Sequence, residues 1–402
     1  MRNTGPVSHS VSSRRGQVPT ILVGVTHPQT CLVLGPRLRT LRRAGFRVFL
    51  VSSPGELLDA TAARERVERI AIPMRRKIAP LADLRSLFLL WLLIVRLRPD
   101  IVEFSTPKAG LLGTLAAMLC GVPHRVYMLR GLKCETGVGF KRRLLLAAEH
   151  LAAACAHEVL CNSDSLRGHA QRLGVARRSK LRLLGEGSSN GVDIERFAPG
   201  RTDVRERLAI PPNAKVVGFV GRLTRDKGLP ELLEAFESIA TVEPEAHLLL
   251  VGWFDAAEDA LGNDLRTHIL RHPKIDCTGF VADTAPYYRA MDVLVLPTWR
   301  EGFPNVVLEA SATGIPVVTT ECTGSRDSVV PEVTGFLIPP GYPEAISEAV
   351  LKIIRVPSRK ERMGKAARSW ILEHYPESHV LGLTAEYYQR LLQEPKPAAL
   401  QL

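Results

Sequence analysis

The sequence predicts an α/β protein made of two Rossmann-like domains that face one another across a cleft. Three observations predict it. Strand-length apolar runs alternate with helix-period patterns along the whole chain. At 402 residues the chain is too long for one hydrophobic core. A polar stretch punctuated by Pro199, Gly200, Pro211 and Pro212 divides the alternation into two series. No short-period repeat is present, which argues against a solenoid.

Residues 1–17 are rich in Ser, Arg and Gly without an apolar core, and read as a disordered leader rather than a signal peptide. The first domain is expected over 18–198. Its strands, at 20–25, 47–52, 100–104, 125–128, 158–161 and 180–184, alternate with helical patterns such as 34–44, 84–97 and 109–119. A linker spans 199–213. The second domain, 214–375, carries strands at 216–220, 247–251, 293–296 and 316–319, and helices at 231–240, 283–290 and 305–313. Residues 376–402 are expected as a helix and tail that pack back towards the first domain. Ligands of such sheets bind beyond the carboxyl ends of the strands. The run 87–95, around Trp91, is apolar at every position. It is shorter than the roughly 20 residues that span a bilayer, so it is expected as a core helix, with membrane docking as the other reading.

A composition of 46% apolar and 23% charged residues is that of a soluble globular protein. Seven cysteines, with no Cys-x-x-Cys pair, fit a reducing cytosol better than disulfides or structural zinc. The charge is unevenly divided. Residues 1–200 hold 31 Lys and Arg against 14 Asp and Glu, a net +17, whereas the remainder carries −5. The first domain is therefore expected to face something anionic. No zinc finger, helix-turn-helix signature or aromatic-basic motif supports nucleic acid. An anionic membrane or a lipid diphosphate fits better, because Arg75-Arg76-Lys77 precedes the apolar stretch 84–97 and Lys141-Arg142-Arg143 opens another at 144–156. A merely solvated basic face is the alternative.

The chemistry concentrates in Glu301-Gly-Phe-Pro-Asn-Val-Val-Leu-Glu309-Ala. Gly302 lets the backbone approach a ligand, and Pro304 stands where the first turn of a helix tolerates proline. The amides of Asn305 and Val306 then point out of a helix N-terminus, a ready anion site. Glu301 lies at its mouth and Glu309 on the helix. Phosphate at the amides with carboxylates for sugar hydroxyls describes a nucleotide-sugar pocket, and a capped surface helix is the plainer alternative. Upstream, Val216-Val-Gly218-Phe-Val-Gly221-Arg222-Leu223 followed by Lys227-Gly228 reads as a buried strand, a glycine turn and a helix start. Arg222 and Lys227 flank the turn, a fork and a point charge suited to a diphosphate.

Together, about eighty residues apart, these two segments resemble the donor-binding motifs of the retaining GT-B glycosyltransferases of family 4. The resemblance implies that Arg222 and Lys227 hold the diphosphate, beside Gly221, Phe303, Asn305 and Val306. It implies that Glu309 holds the ribose and Glu301 the donor sugar. Gly279-Phe-Val281 is similar to the loop that holds the base. Ser105-Thr-Pro-Lys108-Ala-Gly110 and Gly185-Glu-Gly-Ser-Ser-Asn190-Gly-Val-Asp193 resemble segments of surface-polysaccharide members, and Lys108 becomes an acceptor-side candidate. Many members carry His-Gly after the fifth strand, where this chain has Arg130-Gly131. Arg130 is therefore an acceptor-side candidate for phosphate rather than a general base. His27 is a third candidate, in a loop 26–30 that lacks the double glycine of many relatives.

No Asp-x-Asp occurs, nor any dinucleotide, P-loop, nucleophile-elbow or zinc motif. No metal and no cofactor is expected, and leaving-group charge falls to Arg222, Lys227 and the helix N-terminus. The resemblance implies retaining transfer of a sugar, an N-acetylhexosamine or deoxy relative, from a UDP-linked donor to a lipid-diphosphate-linked saccharide. The enzyme would sit in the cytoplasm, peripherally on the inner face of the membrane, without nucleic acid as a partner. An epimerase or hydrolase of the same fold, and a non-catalytic scaffold, are the rival readings. The first lacks an evident acid/base set, and the second has no need of Arg222, Lys227, Glu301 and Glu309 together.

Overall fold

The computed structural model describes residues 18–255 and 260–394; the expected leader and the end of the tail lie outside them. The first domain holds a sheet of β1 (Thr20–Gly24), β2 (Arg47–Ser52), β3 (Glu68–Ala71), β4 (Ile101–Ser105), β5 (His124–Leu129), β6 (Glu158–Cys161) and β7 (Leu181–Leu183). Its order is β3-β2-β1-β4-β5-β6-β7, and every pair is parallel. The second sheet holds β8 (Lys215–Val220), β9 (Ala246–Val251), β10 (Ile275–Cys277), β11 (Val293–Leu296), β12 (Val317–Thr320) and β13 (Gly335–Ile338). It is also all parallel, in the order β10-β9-β8-β11-β12-β13. Central strands such as β8 and β11 are apolar on both faces because helices cover both. In each sheet the order reverses once, between β1 and β4 and between β8 and β11. Loops leaving such a pair diverge and open a crevice at the carboxyl edge.

Three strands were not expected. β3 is a mostly exposed edge, β10 has three residues, and β13 starts at Gly335. A Cβ there would lie 2.1 Å from the Val317 carbonyl oxygen, so glycine permits β13 to close on β12. The helix after β1 begins at Pro28, six residues before the expected start at 34. Pro28 presets the first turn, and His27 Nδ1 accepts from the Gln29 amide at 3.4 Å, so most of the expected 26–30 loop is helical. The helix expected at 283–290 contracts to Ala285–Tyr288.

The Pro80–Leu97 helix is core on one face only. Ser86, Leu90 and Ile94 are buried. Leu81, Leu84, Phe88, Trp91 and Val95, three and four residues apart, face outwards, Leu81 with 87% and Phe88 with 57% of its surface exposed. The expectation of a core helix therefore holds for half its circumference.

The Glu377–Gln393 helix crosses back to the first domain, where Tyr387, Tyr388 and Leu391 pack with Leu34, Leu38 and Leu41. Beneath it Arg37 Nη2 meets Glu103 Oε2 at 2.6 Å, both fully buried, and Tyr388 also donates to that carboxylate. Removing one partner of such a pair costs about 3–5 kcal/mol, because the other charge stays buried. The domains also meet where Arg300 Nε donates to Thr136 Oγ1 at 3.2 Å and Ser165 Oγ accepts from the Gly324 amide at 2.8 Å.

Candidate active site

The loops leaving β8 and β11 enclose a cavity of about 240 Å³ at the carboxyl edge of the second sheet, roofed by the first domain. Gly221 and Lys227 come from the turn after β8. Glu301, Gly302, Phe303, Pro304, Asn305 and Val306 come from the turn after β11, and Arg130, Asn162 and Ser189 from the first domain. Gly221, at φ +148, and Gly228, at φ +73, turn the chain sharply, and a Cβ on Gly228 would strike the Pro297 carbonyl oxygen at 1.9 Å. The Asn305–Ala312 helix starts behind Pro304, with no side chain capping its first amides, so the helix N-terminus faces the cavity unneutralised. Phe303 is buried with its ring 5.3 Å from that of Tyr375.

Across the cavity Lys227 Nζ donates to Glu301 Oε1. The two residues expected to meet phosphate and sugar thus neutralise one another. Arg222 stands beside the turn, outside the cavity lining, with Nη1 2.9 Å from Asp255 Oδ2 and Nη2 3.7 Å from Asp226 Oδ2. Burial alone would raise the Asp226 carboxyl, yet its bond from Thr224 and the charges of Lys227, Arg300 and Arg222 hold it below its ordinary range. Asp226 is thereby a fixed anion behind the cation cluster.

Glu309 lies off the cavity. Burial pushes its carboxyl up, against the bond that Tyr288 donates to Oε2 at 2.7 Å. Gly279, at φ +70, bridges Gly252, and Val281 packs at the edge of the second core. Gly302 lines the cavity and also admits backbone, because a Cβ there would lie 2.3 Å from the Arg130 carbonyl oxygen. The Arg130-Gly131 and Glu301-Gly302 turns cross in direct contact.

The acceptor-side candidates separate. Arg130 lines the same cavity as Lys227 and Glu301. Its Nη1 donates to Ser189 Oγ at 3.1 Å, while Nε and Nη2 are buried without a hydrogen-bond partner. Burial, and then the charge of Arg37, push its pKa down to about 10, so it stays protonated at neutral pH. The Lys108 ammonium donates to the Lys77 carbonyl and to Asp83 Oδ1, both at 2.6 Å. A lysine at the start of the Pro107–Leu119 helix finds one acceptor in the loop at Lys77 and the other in the first turn of the Pro80–Leu97 helix, and two bonds hold it. His27 lines a second cavity, of about 860 Å³, in the first domain. Burial and then Arg76 lower its pKa, against the charge of Asp255.

Comparison with known proteins decides what this site belongs to. The family model described as Glycosyl transferases group 1 matches residues 214–355, and the Glycosyl transferase 4-like domain matches 37–187. The capsular polysaccharide biosynthesis glycosyltransferase CapM of Staphylococcus aureus is 34% identical over 373 residues, 92% of this chain and 97% of the relative. The chain belongs to the group 1, family 4-like glycosyltransferases. A second relative, the UDP-Gal:alpha-D-GlcNAc-diphosphoundecaprenol alpha-1,3-galactosyltransferase of Escherichia coli, is 30% identical over 65% of this chain and 68% of its own. The fold of this glycosyltransferase is GT-B. Anabaena HepE in complex with UDP and glucose superposes with a TM-score of 0.77 at 19% identity, over 92% of this chain and 99% of its own. Sucrose-phosphate synthase from Thermosynechococcus elongatus superposes at 0.78 with 20% identity, over 94% and 100%.

Sequence reasoning missed Asn162 as a wall of this glycosyltransferase's cavity, along with the carboxylates Asp226 and Asp255 that hold Arg222. Asn162 follows β6 in no recognisable motif. Ser189 lay within the 185–193 segment already singled out, which is the one signal that pointed to it.

Proposed function

We propose that this glycosyltransferase moves a sugar, an N-acetylhexosamine or deoxy relative, from a UDP-linked donor to a saccharide carried on a lipid diphosphate, with retention at the anomeric carbon. The observation that carries the proposal is the cavity at the β8/β11 crevice, where Lys227, Glu301 and the amides of Asn305 and Val306 converge. The E. coli relative, named for a diphosphoundecaprenol-linked acceptor, supports the acceptor class, and the capsular role of CapM supports the pathway class. In this reading the diphosphate takes Lys227 and the helix N-terminus, releasing Glu301 to the hydroxyls of the donor sugar. Arg222 joins from the flank, Glu309 takes the ribose, and the backbone at Gly279 and Val281 takes the base.

The bond from the anomeric carbon to the diphosphate breaks as the bond to the acceptor oxygen forms on the same face. A diphosphate oxygen receives the hydroxyl proton, so no side chain need act as base. Negative charge grows on the leaving diphosphate, where Lys227, Arg222 and the helix amides stabilise it. Because these cations do the work of a metal, turnover should continue in excess EDTA, and a loss restored by Mg²⁺ or Mn²⁺ overturns this part.

The same proposal has the first domain resting peripherally on the inner face of an anionic membrane. The outward stripe of Leu81, Leu84, Phe88, Trp91 and Val95 supports it, together with Val138, Phe140, Leu144 and Leu151 beside Lys141, Arg142 and Arg143. The Pro107–Leu119 helix packs between the two helices that carry them. Among the described residues no helix is long and apolar enough to cross a membrane. A thermal-shift panel of nucleotide sugars tests the donor: a ligand of the folded state raises the unfolding temperature. UDP-sugars should do so, and a response confined to GDP-sugars would contradict the assignment.

A further inference from the structure

The larger cavity, of about 860 Å³, lies in the first domain between the loops after β2 and β3, with His27 on its third side. Arg75, Arg76 and Lys77 stand together on its wall, all exposed. These three cations outnumber the one carboxylate on the wall, Glu56, so the cavity favours an anion. Their loop is held in shape, because Lys108 binds both the Lys77 carbonyl and Asp83. Arg76 donates to Gln29 Oε1 at 3.3 Å and comes within 3.7 Å of Asp255 Oδ2. That same carboxylate oxygen takes Arg222 from the other domain. One end of the cavity therefore meets the turn that flanks the donor cavity. At the other end the loop runs straight into the Pro80–Leu97 helix and its exposed apolar stripe.

We infer that this cavity seats the diphosphate of a lipid-linked acceptor on Arg75, Arg76 and Lys77, with the lipid leaving along the stripe and the saccharide reaching towards Asp255. The inference rests on the acceptor class proposed above and adds where that acceptor is held. A bilayer surface meets cations on a convex face, whereas these three line a concavity within the usual size of a small-molecule site. Two arginine forks and a lysine match the oxygens of a diphosphate. Lys108 is then a positioning residue, acting on the acceptor only through the loop it holds.

The test separates the two sites. UDP is added first to fill the donor cavity; geranyl diphosphate, a water-soluble isoprenyl diphosphate, is then titrated while the unfolding temperature is followed. The native protein should show a second rise. In Arg75→Ser/Lys77→Ser, and to a smaller degree in Arg75→Ser, affinity for geranyl diphosphate should fall about ten- to hundredfold while the UDP response stays. A native-like response of the double variant to geranyl diphosphate overturns the inference, as does loss of the UDP response together with it. Sedimentation with anionic vesicles free of diphosphate forms the second arm. Native and variant should bind them alike, and a variant that loses only the vesicles assigns the cations to the bilayer and overturns the cavity. A native protein without any UDP response refutes the donor reading, and the geranyl diphosphate titration still decides the cavity.

Discussion

Lys227 and Glu301 face each other across the carboxyl edge of the second sheet, the ammonium donating to the carboxylate. In the proposed roles a donor diphosphate displaces Glu301 from Lys227, so the two residues are predicted to respond oppositely to substitution. Lys227→Ala should weaken UDP binding and lower turnover. Glu301→Gln should leave UDP binding unchanged or tighter while turnover falls about 10²–10³-fold, because its contact is with the sugar undergoing transfer. Calorimetry with UDP and steady-state rates check both, and parallel loss of UDP affinity in the two variants refutes the division.

Glu309 is half-buried and accepts from Tyr288. Glu309→Ala should mainly weaken nucleotide binding, raising the donor KM with kcat nearly constant, since a ribose contact is the same in ground and transition states. A fall in kcat at constant KM would assign Glu309 to the reacting sugar instead.

Glu149 is one of two first-domain carboxyls, with Glu135, that burial pushes up to about 7. The Glu149 carboxyl rises from 4.5 to about 7 by burial, against the bond that Tyr127 donates to Oε2 at 2.6 Å. The folded state therefore holds a proton that the unfolded chain releases sooner. Its contribution is full below pH 4.5, declines as pH rises towards 7 and is lost above. Glu149→Gln should remove that slope, so the stability difference between native and variant changes by on the order of 3 kcal/mol between pH 4 and 8. His157, pushed down to about 4 by burial and then Arg125, works in the opposite sense and is common to both proteins. Denaturant unfolding across this range, with no change in the difference, would contradict the assignment.

The outward stripe predicts vesicle binding with two components. Leu84→Ser/Phe88→Ser should lose most binding to anionic vesicles at any ionic strength. Lys141→Ser/Arg142→Ser/Arg143→Ser should lose about 1 kcal/mol per cation, and this component should weaken as salt rises. Co-sedimentation checks both, and full binding by the stripe variant would dismiss the apolar contact.

The long parallel strands were legible because burial on both faces leaves continuous Val, Ile, Leu and Phe runs, as in Val216–Val220 and Val293–Leu296 of β8 and β11. β3, β10 and β13 were not, since edge position and short length remove that pattern. The residues lining the β8/β11 cavity were legible where a glycine turn meets a helix start. Their partners were not: the pairing of Lys227 with Glu301 spans seventy-four positions, and the capture of Lys108 by Asp83 depends on how two helices lie together. The outward face of Pro80–Leu97 was hidden by a run apolar at every position, which carries no periodicity to tell inside from outside.

The central claim is sugar transfer onto a lipid-diphosphate-linked saccharide, and mass spectrometry of a single reaction tests it most directly. Purified protein is incubated with UDP-N-acetylhexosamines and a synthetic saccharide on a short-chain isoprenyl diphosphate. The account predicts an acceptor heavier by one sugar residue, UDP released in equal amount, and negligible consumption of donor when the acceptor is left out. Donor epimerised or hydrolysed at the same rate without acceptor, with the acceptor mass unchanged, would contradict it.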